Sequence, residues 1–180
     1  CAGNIIQDFK SIDFGLPYLA DSNQLFINEV LFNPLSGGFD FVELYNNSNK
    51  LIDVKDLLLA KRDNDGNIDQ IENIAPAGFT IKPNTHVVIS SSPETVKQQY
   101  YCMYPEQMIK ANTPSMNDDA GNIVLMNTQG MVLDELVYDD KMHVPLLDDK
   151  DGVSLERIDV QRQSSERSNW TSAASSVGYA

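Results

Sequence analysis

Residues 27–45 read INEVLFNPLSGGFDFVELY. Two runs rich in β-branched and aromatic residues flank a Pro/Gly turn, the pattern of one strand, a turn and a second strand. Glu29 stands in the first run and Glu43 in the second. Two carboxylates on neighbouring strands suit three roles: a catalytic pair, a metal site or structural partners. Strict alternation puts Glu29 on the face of Ile27 and Leu31, and Glu43 on the face of Phe41 and Tyr45. A carboxylate shielded from water is costly unless it is paired or hydrogen-bonded. The cation that the pattern offers is Arg157, in the expected last strand VSLERI (153–158). The expected role is therefore structural, a Glu–Arg partnership that ties the C-terminal strand to the first hairpin. A glycosidase pair would need its carboxylates in an open cleft, and nothing in the sequence predicts one.

Outward from this hairpin, turn signals recur and cut the chain into short runs. LFINEVLF (25–32) and FDFVELYN (39–46) are strands. LIDVKDLLLAKR (51–62) is ambiguous by periodicity and is read as a turn followed by a strand over 57–62. RDNDGNIDQ (62–70) is a hairpin-like loop on Asp-Gly. FTIKPNTHVVIS (79–90) gives strands at 79–81 and 86–90. SSPETVKQQYY (91–101) is the one helix candidate: Ser92 can cap, Pro93 fits the first helical position and Glu94 favours the N-terminus. Strands follow at 122–126, 131–138 and 153–158, and the tail SNWTSAASSVGYA is read mostly as loop. Residues 1–24 form a lead-in, and the domain occupies residues 25–180. Seven to nine short strands without βαβ alternation disfavour a doubly wound sheet and suit an antiparallel, immunoglobulin-like β-sandwich.

Composition narrows the function. Of 180 residues, 42% are apolar, enough for a core, and 13 basic against 26 acidic residues leave a net charge of −13. A chain with a pI near 4.3 repels a phosphate backbone and an anionic bilayer, so nucleic acid is disfavoured as a partner. No apolar run approaches the ~20 residues of a membrane span. Two cysteines, Cys1 and Cys102, are too few for a disulfide scaffold or a cysteine-ligated metal.

Motifs for chemistry are sparse. His86 lies in a strand-like run and His143 in a loop, neither beside a nucleophile signature. SGG (36–38) lacks the Gly-Lys-Ser/Thr of a phosphate loop. RDNDGNID offers Asp63, Asp65, Asn67 and Asp69 as calcium ligands at alternate positions, with Gly66 at the bend. The favoured reading of the same residues is a solvated Asp-Gly hairpin. They do not complete an EF-hand, since Glu72 falls at the twelfth place only if Lys61 is the first ligand. LLDDKDG (146–152) carries Asp148, Asp149 and Asp151 with the same two readings. Trp170 either docks into the core or stacks on carbohydrate. Tyr100, Tyr101 and Tyr104, with Met103, either pack the helix onto the sheet or form a partner-binding patch. The chain is expected to have no catalytic residues and no cofactor unless calcium binds.

INEVLFNP, then FVELYNNSNK, LLLAKRDNDGN, FTIKPNTHVVIS and DDAGNIVLMNTQGMVLDELVY together resemble, in this order, the lamin tail domain family. The resemblance runs from about Leu25 to Tyr138, and SLER and NW resemble the trailing segment of the bacterial branch. It implies an immunoglobulin-like β-sandwich without catalytic residues, set in a secreted or surface protein among other domains. DNA contact, a role of animal lamin tails, is not carried over to so acidic a chain. CAGN resembles the end of a preceding bacterial immunoglobulin-like repeat; Cys1 as a lipid-bearing first residue is the competing reading. The expected function is a non-catalytic interaction or spacer module, extracellular or on the cell surface, with the periplasm as alternative. Its partners would be other domains of the same chain and protein or glycan ligands. A calcium- or carbohydrate-binding module and an accessory domain of an extracellular hydrolase are the alternatives.

Overall fold

The computed structural model describes residues 16–174; Cys1 and the rest of the first fifteen residues lie outside them. The chain forms β1 (Tyr18–Leu19), β2 (Leu25–Leu31), β3 (Phe41–Asn46), β4 (Ile52–Asp53), β5 (Leu57–Arg62), β6 (Ile68–Asn73), β7 (Thr80–Ile81), β8 (His86–Ser90), α1 (Pro93–Gln99), β9 (Met108–Lys110), β10 (Ala120–Asn127), β11 (Val132–Asp139), β12 (Leu155–Arg157) and β13 (Trp170–Ser172). A six-stranded sheet in the order β13-β12-β2-β3-β8-β9 faces a four-stranded sheet in the order β11-β10-β5-β6. The short β1, β4 and β7 form a third sheet. Leu25, Ile27, Val42, Leu44, Val87 and Ile89 of the larger sheet meet Leu57, Leu59, Ile123, Leu125 and Leu136 of the smaller one, nearly all fully buried. The fold is an immunoglobulin-like β-sandwich, as the turn-punctuated sequence implies.

Two strand pairs are parallel, β1 with β4 and β8 with β9. Parallel neighbours need a crossover, and α1 is the one between β8 and β9. Pro93 starts this helix, but Ser92 gives no side-chain cap; its hydroxyl lies 2.9 Å from the Thr95 hydroxyl. The crossover lays α1 on the outer face of the six-stranded sheet. There Val96 and Tyr100 bury against Leu31 and Phe41, and the Phe41 and Tyr100 rings meet edge-on at 6.3 Å. The helix thus covers one part of an outer face whose next part carries Glu43.

A bulge decides which residues share that face. The β2–β3 register runs from Ile27↔Leu44 to Glu29↔Glu43 and skips Asn28. One inserted residue reverses the alternation beyond it. Ile27 and Val30 therefore both enter the core, and Glu29 faces outward with Leu31 and Phe41. The expectation that Glu29 shares the face of Ile27 is corrected by this insertion. The tail is also more regular than the sequence suggests: Trp170–Ser172 pairs with β12 as the edge strand.

Candidate functional site

On the outer face three glutamates stand in a row. Glu156 of β12 pairs in register with Glu29 of β2, and Glu29 with Glu43 of β3. Directly opposed residues of antiparallel strands lie about 5 Å apart, so like charges here repel. Glu29 is 5% exposed and accepts the Ser154 hydroxyl at 2.5 Å. Glu43 accepts the Asn28 amide at 2.8 Å, so the bulged residue supplies the partner. Both of these partners are neutral. Burial, and then Glu43 beside it, hold the Glu29 carboxyl well above the usual carboxylate range. Burial pushes Glu43 up to about 7, the Asn28 bond pulls it back in part, and Glu156 adds repulsion. Burial also raises Glu156.

Arg157 does not pair with either glutamate. Alternation along β12 sends Glu156 outward and Arg157 to the opposite side, where its side chain is 1% exposed. Its Nη1 donates to Asp134 Oδ2 at 2.9 Å and to the Ile27 carbonyl at 3.2 Å; its Nη2 donates to the Arg162 carbonyl at 2.6 Å. The guanidinium also lies over the Phe26 ring, 4.8 Å from its centre. Asp134 accepts the Ile27 N–H at 2.9 Å and the Ser164 hydroxyl. Asp134 is on β11 of the four-stranded sheet and Arg157 on β12 of the six-stranded one. The ion pair therefore latches the two sheets, in place of the expected Glu–Arg157 partnership that would tie the C-terminal strand to the first hairpin. Asp134 escaped that reading because the β10–β11 register skips Leu133 and so disturbs the alternation of VLDEL.

Beside Glu43 the outer face opens into a cavity of about 230 Å³, lined by Glu43, His86, Val88, Gln107, Met108 and the loop Tyr101–Tyr104. Tyr101, Met103 and Tyr104 are 53%, 59% and 58% exposed. Tyr100 is not part of this patch: at 9% exposure it packs under α1. The three tyrosines of the sequence reading are thus divided between the packing role and the surface role. His86 stacks on Tyr45 with ring centres 4.6 Å apart, and burial lowers its proton affinity. Burial pushes the Cys102 thiol up, which keeps it a thiol, not the nucleophilic thiolate.

Trp170 is 4% exposed, and its indole N–H donates to the Ser164 carbonyl at 2.9 Å. Carbohydrate stacking is excluded for it, because the ring belongs to the core. In the β5–β6 hairpin the Asp63 carboxylate accepts the N–H groups of Asp65 and Asn67 at 2.9 and 2.8 Å and the Asn67 amide. These bonds lower its proton affinity and close the loop around Gly66, whose φ of 85° suits glycine. The second acidic loop meets another: Asp148, Asp149 and Asp151 share a cleft with Asp118, Asp119, Asp140 and His143. Among the described residues no three His, Cys, Asp or Glu side chains are grouped to hold a metal ion.

His143 Nδ1 lies 3.0 Å from the Ser172 hydroxyl, which also accepts the Val144 N–H. Its other ring nitrogen is buried without a partner, so no carboxylate orients this ring as a catalytic base.

A family model described as Lamin Tail Domain matches residues 19–140. The chain belongs to the lamin tail domain family. No curated protein matches it. Lamin tail domains are immunoglobulin-like interaction modules without catalytic residues. The match covers Glu29, Glu43, Asp134 and the 101–104 loop. Glu156, Arg157 and Trp170 lie beyond it, although β12 and β13 complete the six-stranded sheet of this lamin tail domain.

Proposed function

We propose that this lamin tail domain is a non-catalytic interaction module of a secreted or surface-exposed bacterial protein, and that it docks its partner on the outer face at residues 101–104. The observation that carries the reading is the contiguous exposure of Tyr101, Met103 and Tyr104 at the rim of a cavity with Glu43 in its wall. Exposed apolar residues grouped in this way mark interaction sites, and tyrosine offers a large contact at low entropy cost. The non-catalytic part of the reading is supported by the family and by the chemistry. Burial raises the Cys102 thiol, and His86 is stacked on Tyr45.

The test is a photocrosslinker. Tyr104 is replaced by benzoylphenylalanine in cells that make the native protein, and the same residue is placed at Val137, which is 64% exposed on β11 of the other sheet. A discrete adduct from position 104 and none from position 137 is expected. Equal labelling at both positions, or none at 104, would overturn the docking face.

A further inference from the structure

We propose that the cavity beside Glu43 receives a cationic side chain, a lysine or arginine of a protein partner. This rests on the docking face proposed above and names its occupant.

The cavity, of about 230 Å³, is smaller than the roughly 300–1,000 Å³ of sites that enclose a drug-sized ligand, so it takes one side chain. Its walls divide by chemistry. Tyr101 and Tyr104 present aromatic rings, and Met103 and Met108 present thioethers that adapt to an alkyl stem. Glu43 is the carboxyl in the wall. Its hydrogen-bond partner is the neutral Asn28 amide, and its neighbour across the ladder is a second buried carboxyl, Glu29. Such a group is short of positive charge. An ammonium or guanidinium arriving here would supply the counter-charge in a place shielded from water, where the attraction is strong. Tyrosine faces attract the same cation. An apolar side chain would fill the walls but leave Glu43 uncompensated. A hard divalent cation wants six to eight oxygen ligands, and this cavity offers aromatic and sulfur surface instead. The net charge of −13 steers cationic partners to the domain.

The groups facing Glu43 set how binding follows pH. They are Glu29 on β2, Glu156 on β12, His86 on β8, and Tyr101, Cys102 and Tyr104 on the loop; from α1, Lys97, paired with Glu94, acts on Cys102. Glu43 itself changes charge near neutrality, at about 7, and burial with the Glu43 charge beside it raises the proton affinity of Glu29 as well. A cation must displace its proton below that pH and need not above it.

The test uses the 180-residue chain with its methionine methyl groups labelled with carbon-13 for NMR. The probes are Nα-acetyl-lysine methylamide, its uncharged norleucine counterpart and a glucose oligomer. At pH 8 the lysine probe is expected to shift the Met103 and Met108 methyl signals saturably. The norleucine probe is expected to bind at least about fivefold more weakly. Lowering the pH from 8 to 6 should weaken the lysine probe about tenfold, the ratio of ionised Glu43 at the two values, and leave norleucine unchanged. Glu43→Gln should abolish the preference for lysine; the pH comparison in the unaltered chain reads the same group without a substitution. Equal binding of lysine and norleucine would overturn the cationic occupant and leave the docking face standing. No shift with any probe would overturn both. Shifts with the glucose oligomer and not with lysine would make the occupant a glycan and also overturn the proposal.

Discussion

At the scale of single residues, the decisive feature is which acid each base meets. Arg157 is buried and bonded to Asp134, the Ile27 carbonyl and the Arg162 carbonyl. Removing one partner of a buried pair leaves the other uncompensated, at a cost of about 3–5 kcal/mol. Arg157→Ala is therefore expected to lower the melting temperature by roughly 10 °C, since 1 kcal/mol corresponds to about 2–4 °C at this size. Double substitutions name the partner. Arg157→Ala with Asp134→Asn should fall short of additivity by about 1–3 kcal/mol, whereas Arg157→Ala with Glu29→Gln should add to within about 0.5 kcal/mol. Urea melts of the four single and double variants check this. Coupling to Glu29 and none to Asp134 would reverse the assignment. Arg157 was legible in SLER as a candidate structural cation. Its partner was not, because Asp134 comes to it from the opposite sheet and nothing local in VLDEL marks that approach.

At the scale of elements, the six-stranded sheet is finished by strands that lie past the family match. Trp170 opens the edge strand β13 and enters the core, and its indole N–H is bonded to the Ser164 carbonyl. As the single tryptophan of the chain it reports directly on this edge. Its emission is expected to be blue-shifted and poorly quenched by acrylamide. Trp170→Ala is expected to cost about 3–5 kcal/mol in denaturant melts. Solvent-like emission and a neutral substitution would mean that β13 does not dock. The sequence hid this strand because WTS is three residues long and follows a polar stretch with no alternation to read. It hid the β2 bulge for a related reason: Asn28 looks like an ordinary polar position until pairing with β3 shows that the register passes over it. That one residue turns Glu29 from the core face to the outer face. It also puts the Asn28 amide on Glu43. By contrast, the strands at 57–62, 86–90 and 131–138 and the helix after Ser92 were legible from apolar runs bounded by Gly, Pro and Asn.

At the scale of the whole molecule, buried acids shape how stability responds to pH. Glu29 and Glu43 have raised proton affinities, and burial with the repulsion of Asp118 pushes Asp40 up to about 6. Each binds a proton more tightly folded than unfolded, so its contribution is full below the unfolded value near 4.5 or 3.8 and is lost as pH rises through the folded one. For Glu43 the loss spans pH 4.5 to about 7 and is on the order of 3 kcal/mol. Asp139 runs the other way: Arg167 holds it down to about 2, so its small, exposed contribution fades only in strong acid. The melting temperature is accordingly expected to be highest near pH 5 and to fall towards pH 8; a profile that rises from pH 5 to 8 would contradict this balance. The sandwich itself was legible from turn spacing and the order of the family's motifs. The cavity was not, because Glu43, His86 and the 101–104 loop meet only through the β3–β8 pairing and the α1 crossover. The most direct measurement is a carbon-13 NMR titration of the Glu43 side-chain carboxyl. A midpoint near 7, moved to lower pH by added Nα-acetyl-lysine methylamide, is the result that a buried carboxyl awaiting a cation requires. A midpoint near 4.5 that the probe leaves in place would contradict it.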